Sequence, residues 1–266
     1  MIIDFHAHCF PDALAPKAMP VLAAHSGSPY FDGTAGGLLT VMDGAGVGRC
    51  VVANIATNPR QQRAVNDFAI SLLQNPRFIP FGSVHPEALD ALDELRRIKE
   101  AGLKGIKLHP DYQAFFPDES RLFPIYREAA RLGLVTLFHA GVDIGLCSPV
   151  HCTPERLARA LPQFGGAPVV AAHFGGYILW REVLEHLCGR DIYFDTSYCA
   201  RKMPPPWAGE IIAAHGAARI LFGTDLPWAD PLDEIAFVRS ISANEAMAAD
   251  ILGNNAAKVL GLEESP

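Results

Sequence analysis

Eight short runs of apolar and β-branched residues recur along the chain: Ile2–Phe5, Cys50–Ala53, Phe78–Ser83, Gly105–Leu108, Val135–Phe138, Val169–Ala172, Ile192–Phe194 and Ile220–Phe222. Each is too short for a helix and is bounded by turn residues, which is the signature of a strand. Between them lie amphipathic stretches with helical spacing, among them Arg60–Gln74, Ala88–Ala101, Phe123–Leu132 and Trp180–Leu187. Asn75-Pro76 stops one of these and Gly102 another, as helix ends require. Strands alternating with helices predict a parallel sheet. Eight such units in 266 residues fit a closed (β/α)8 barrel, which typically takes about 250 residues as one domain. The expectation is one α/β barrel domain over residues 1–266, sealed by a C-terminal helix over Asn244–Leu260.

An open doubly wound sheet is the competing architecture. Gly44, Gly46 and Gly48 stand two apart and precede a strand, so they do not match the dinucleotide fingerprint. They read as a helix end followed by a turn. Residues 11–37 and 199–208, rich in Pro, Gly or Ser, read as loops. Both follow strands and belong over the C-terminal mouth, where barrel enzymes carry their chemistry.

Composition narrows the class. Half the residues are apolar and 19% are charged, which excludes a disordered chain. The net charge of −7, with no basic block, argues against nucleic-acid or anionic-membrane partners. No apolar stretch approaches the roughly 20 residues of a membrane helix, and Met1-Ile2-Ile3-Asp4 lacks the basic start of a signal peptide. A cytoplasmic location is expected. Six cysteines, Cys9, Cys50, Cys147, Cys152, Cys188 and Cys199, form no CxxC pair and read as reduced thiols.

Polar residues stand at strand ends with a regularity that folding does not demand. His6-Ala-His8 ends the first strand, His139 the fifth, His173 the sixth and Asp225 the eighth. Side chains two apart share a strand face, so His6 and His8 point together into the mouth. Any one of these residues alone is most simply a packed polar side chain. Their conjunction is the imidazole and carboxylate donor set of Zn²⁺ and similar ions. Lys107 and His109 should face inward from strand four; Lys107 pairs with a barrel carboxylate or, if carbamylated, bridges two metals. Cys9 is turned from His8 by alternation and is not a candidate nucleophile.

The HxH pair, His139, His173 and Asp225 resemble the amidohydrolase superfamily. Gly105-Ile-Lys-Leu-His-Pro110, His173-Phe-Gly-Gly176 and Phe222-Gly-Thr-Asp-Leu-Pro-Trp228 are similar to its branch that includes aminocarboxymuconate-semialdehyde decarboxylase and 2-pyrone-4,6-dicarboxylate lactonase. The resemblance implies one divalent ion, zinc before manganese, on His6, His8, His139 and Asp225. It implies Asp225 and His173 as catalytic groups, with His173 bonding the metal water or the substrate oxygen. A homodimer is a family-level expectation.

Substrate contacts are expected from His85, Lys107, His109, Tyr112, Tyr177, Arg201 and Trp228, with Trp180 and Tyr198 in neighbouring loops. Arg201 would grip a carboxylate, and Asp195-Thr-Ser197 would support the ligands from behind. Two reactions fit a small-molecule substrate. Hydrolysis of an ester, lactone or amide by metal-activated water is the first reading, favoured by the short chain. Non-oxidative decarboxylation of a small aromatic or muconate-type acid at the same site is the alternative.

Overall fold

The computed structural model describes residues 1–262 apart from Cys147. In chain order the elements are β1 (Ile2–Ala7), α1 (Ala15–Ser26), α2 (Ala35–Ala45), β2 (Val47–Ala53), α3 (Gln62–Leu72), β3 (Phe78–Phe81), α4 (Ala91–Glu100) and β4 (Gly105–Leu108). There follow α5 (Phe123–Arg131), β5 (Val135–Phe138), α6 (Pro154–Ala160), β6 (Val169–Ala171), α7 (Trp180–His186), β7 (Tyr193–Asp195), α8 (Pro205–His215) and β8 (Ile220–Leu221). The chain ends in α9 (Pro231–Ile241), α10 (Glu245–Ala249) and α11 (Asn255–Leu260).

All strand pairs are parallel, in the runs β1-β2-β3 and β4 through β8. Two backbone seams close them into the expected (β/α)8 barrel. Gly82 N donates to Gly105 O (3.0 Å) and Lys107 N to Gly82 O (2.8 Å), joining β3 to β4. Phe5 N donates to Phe222 O and Asp225 N to His6 O, both 2.7 Å, joining β8 to β1. The interior is filled by alternate strand residues, including Ile3, Phe5, Val51, Phe81, Leu137 and Val170. Ala256 and Leu260 of α11 join that cluster. Fully burying each large member stabilises the fold by about 1.5–3 kcal/mol.

The alternation that fills the interior would by itself misdirect the histidines. Ile3 and Phe5 face inward, so strict alternation puts Ala7 inward and His6 and His8 outward. The β1–β2 register shifts between Asp4 and Ala7, where three steps along β1 match two along β2. This bulge re-aims the strand end. Ala7 joins the outer core, and both imidazoles enter the mouth.

Three boundaries differ from the sequence reading. Residues 11–37 contain a twelve-residue helix, α1, that their Pro and Gly content concealed. Pro16 stands in its first turn, where a missing N–H costs nothing. Residues 199–208 likewise run into α8, which starts at Pro205. The closing helix is interrupted by a π-turn over Asp250–Asn254, where Ile251 O accepts Phe222 N from the barrel wall (2.9 Å). Gly46 caps α2 at φ 70°, as the glycine reading expected. The five described cysteines are free; Cys147 lies outside the described residues. No helix of the described residues is long and apolar enough to cross a membrane.

Candidate metal centre

The strand ends converge on a cavity of about 410 Å³ lined by His6, His8, His139, His173 and Asp225. His6, His8 and Asp225 each present a ligand atom within 4.8 Å of the other two. His6 Nε2 and His8 Nε2 lie 3.4 Å and 3.2 Å from Asp225 Oδ1. Both His173 and Asp225 hold left-handed backbone, at φ 60° and φ 67°. Such conformations cost a non-glycine residue about 1–3 kcal/mol and cluster at functional sites.

The hydrogen-bond pattern assigns the tautomers. His6 Nδ1 donates to Asp195 Oδ2 (2.9 Å), leaving a lone pair on Nε2. His8 Nδ1 donates to Ala53 O (2.8 Å), which likewise turns a lone pair on Nε2 toward Asp225. His173 Nδ1 donates to Ser197 O (2.9 Å). Its Nε2 therefore accepts from His139 Nδ1 (3.2 Å), and His139 Nε2 becomes a lone pair too. That atom is buried with no hydrogen-bond partner. Three imidazole lone pairs and a carboxylate so face one region, held in orientation by groups behind them, as metal-ligating histidines are. A divalent ion fits this donor set.

His139 does not close to 4.8 Å on the His6–His8–Asp225 group; it falls instead in a second group with His109 and Asp143. That second group does not suit a metal. His109 Nδ1 accepts Tyr112 N (3.3 Å), so its proton sits on Nε2, directed at Asp143 Oδ2 (3.4 Å). The His109 and His139 rings stack at 4.2 Å with planes 9° apart, and parallel rings do not aim lone pairs at one ion.

Burial shapes the electrostatics. Desolvation lowers His6 to about 4, aided by the Lys107 charge, and pushes His109 and His139 well below the usual imidazole range. These rings are neutral donors at neutral pH. Burial would raise Asp225, but its close contacts with His8, His6 and His173 outweigh it and hold it well below its ordinary value. Asp195 is drawn down to about 2 because His6 and His173 outweigh its burial. Lys107 is buried and lowered to about 8 by desolvation, so it remains an ammonium at pH 7. Its Nζ lies 2.9 Å from His6 Nε2.

The remaining sequence candidates divide. Tyr112, Tyr177, Tyr198 and Trp228 line the cavity with Lys107 and His109. His85 does not; it is buried and its Nδ1 accepts Glu87 N (3.2 Å). Trp180 supports the turn by donating to His173 O (3.2 Å). Arg201 is also absent from the lining: it is exposed and pairs with Asp233 at 2.7 Å, so the carboxylate grip expected of it is not formed. Cys9 lines the cavity, but burial pushes its thiol up to about 12, consistent with an inert cysteine. Sequence reasoning missed Asp143 and the contributions of α1 and α3, which carry no motif.

A closed barrel with a divalent-metal donor set at its C-terminal mouth is the architecture of a metal-dependent barrel enzyme. The amidohydrolase family model matches residues 3–262, and the chain belongs to that family. A curated relative is the 2-amino-3-carboxymuconate-6-semialdehyde decarboxylase of Dictyostelium discoideum, 28% identical over 232 residues. The match covers 71% of this chain and 63% of that protein. The 5-carboxyvanillate decarboxylase of Sphingomonas paucimobilis superposes with a TM-score of 0.74 at 18% identity, covering 98% of each chain. A dihydroxybenzoic acid decarboxylase from Polaromonas, solved with manganese and 2-nitroresorcinol, gives 0.71 at 18% identity, covering 99% of this chain and 98% of that one.

Proposed function

We propose that the protein is a metal-dependent, non-oxidative decarboxylase of a small carboxylic acid. This reverses the order of the two sequence readings. The named relatives and structural neighbours are decarboxylases, and they support the carboxy-lyase reading over hydrolysis. The observation that carries it is a buried Lys107 ammonium, 2.9 Å from His6 Nε2, beside three imidazole lone pairs and one carboxylate that would hold a divalent ion.

His6, His8 and Asp225 would hold the ion, with His139 Nε2 as the fourth donor. Zinc or manganese would supply Lewis acidity, polarising an oxygen of the bound acid. The Lys107 ammonium adds charge that binds and orients the anionic head. Asp225, ionised at neutral pH, takes the proton of a substrate hydroxyl, leaving an oxyanion, and delivers it to the carbon bearing the carboxylate. The carbon–carbon bond then breaks, its electron pair returns to that carbon's conjugated system, and carbon dioxide leaves. Bulk water then returns one proton to the oxyanion, so that the net change is loss of carbon dioxide and uptake of one proton. His173, fixed by Ser197 O and Asp195, accepts His139 Nδ1–H and so keeps the His139 Nε2 lone pair free for the ion. Tyr112, Tyr177 and Trp228 wall the ring and limit water.

The test is carbon dioxide release from a panel of ¹³C-carboxyl hydroxybenzoates and dienoic acids, with metal supplied. Release that disappears in Asp225→Asn, with folding retained, supports the reading. Hydrolysis of esters or lactones without any carbon dioxide release would return the weight to the hydrolase.

A further inference from the structure

The cavity is chemically two-ended. One end is the metal centre, with His6, His8, Lys107 and Asp225. The other lies between α1 and α3 and is faced by Leu14, Leu22, Ile55, Val65 and Phe68. Two neutral polar residues, Thr57 and Gln61, also reach it. Both are exposed, and the threonine hydroxyl donates to the Gln61 side-chain oxygen (2.9 Å). Among the described lining residues Lys107 is the only lysine or arginine, and it sits at the polar end against His6. Arg201 points to solvent and Asp233. A carboxylate set against the half-buried Leu22, Ile55, Val65 and Phe68 would meet no cation and no side-chain donor, which is unfavourable. An uncharged apolar group there exchanges water for aliphatic and aromatic contact. The volume of about 410 Å³ lies within the range of roughly 300–1,000 Å³ that holds drug-sized ligands, leaving room beyond the head group.

We infer that the substrate is a monoacid carrying an uncharged apolar substituent opposite its carboxylate, and that the α1–α3 arm selects for that substituent against a second carboxylate. This rests on the acid-binding centre proposed above, but not on the reaction performed there. Leu22 comes from the segment that composition marks as a loop, so one wall of the arm is supplied by α1.

The test measures binding, not turnover. Isothermal titration of the manganese-loaded full chain would use benzoate, the 4-n-alkylbenzoates from methyl to butyl, and terephthalate. The dissociation constant should fall by about fourfold for each buried methylene, and terephthalate should bind at least tenfold more weakly than 4-methylbenzoate. Val65→Lys should flatten the alkyl series and improve terephthalate binding. Leu22→Lys, on the opposite wall, should do the same if the first variant folds poorly. An alkyl series that is flat in the native chain, terephthalate binding as tightly as 4-methylbenzoate, or no binding of any probe would overturn the inference. A rising series together with no carbon dioxide release from any acid would leave the inference standing and remove the decarboxylase reading.

Discussion

Asp195 makes the sharpest demand on the site without touching the proposed metal. Its Oδ1 accepts the backbone N–H groups of His173 (3.0 Å) and Ser197 (3.1 Å) and the Ser197 hydroxyl. Its Oδ2 accepts His6 Nδ1 (2.9 Å). Asp195→Asn preserves shape but replaces one acceptor with an amide donor. If the new oxygen keeps the two backbone N–H groups, the NH₂ faces His6 Nδ1, and two donors meet at a buried contact. The rotated amide is worse, because it sets the NH₂ against both backbone N–H groups. His6 escapes by moving its proton to Nε2, which removes a ligand lone pair. A mismatched buried donor costs about 1–3 kcal/mol, and losing a group that orients a ligating histidine typically costs 10–100-fold in metal affinity. Competition of the metal-stripped variant with a chromophoric chelator should therefore show manganese or zinc affinity reduced by about 10–100-fold. A thermal melt checks that the barrel is folded. A folded Asp195→Asn protein with native affinity would refute the tautomer assignment and the ligand role of His6 with it.

Three further outcomes follow from the same geometry. Lys107→Met removes a cation that shares the His6 Nε2 lone pair, so metal affinity should rise by roughly tenfold or more while KM for an acid substrate worsens; weaker metal binding would contradict the placement of the ammonium. Arg201→Ala should change KM by less than about twofold, since exposed ion pairs of this kind contribute little; a large KM increase would restore Arg201 to the substrate site. Asp4 is raised from 3.8 to about 7 by burial, against its hydrogen bonds from Thr224 and His6. Between these values the folded chain holds a proton that the unfolded chain releases, so its contribution to stability is full below pH 3.8 and is lost as pH rises through about 7. Denaturant titrations of the native chain and Asp4→Asn should show the native chain losing ground to the variant over that window; a constant difference would remove the assigned shift.

Much of this was legible in the sequence because barrel chemistry follows strand ends. The strands over Gly105–Leu108 and Val135–Phe138 coincide with the predicted runs, since buried parallel strands are written as mostly apolar segments, each here broken by one polar residue, Lys107 or Thr136. The strand-end residues His6, His8, His139, His173 and Asp225 all reached one cavity. What stayed hidden depends on long-range geometry. The β1 bulge that turns His6 inward is a mismatch between two strands, and neither strand states it alone. The direction of Arg201 was decided by Asp233, 32 positions away. Helix α1 was masked by prolines that sit where a helix tolerates them or gives up one bond, and with it went the apolar wall of the cavity. His85 shows the limit of the strand-end rule, because its ring is taken up by the Glu87 backbone.

The strand ends are proposed to form one metal centre on His6, His8, His139 and Asp225. Its most direct test is the metal content per chain, by elemental analysis of chelator-stripped and reloaded protein, for the native sequence and Asp225→Asn. About one equivalent of zinc or manganese is expected in the native chain, with a large loss in the variant. Two equivalents would mean that Lys107 or the His109–His139–Asp143 group also holds an ion. No retained metal, in a chain that still turns over its acid, would contradict the centre itself.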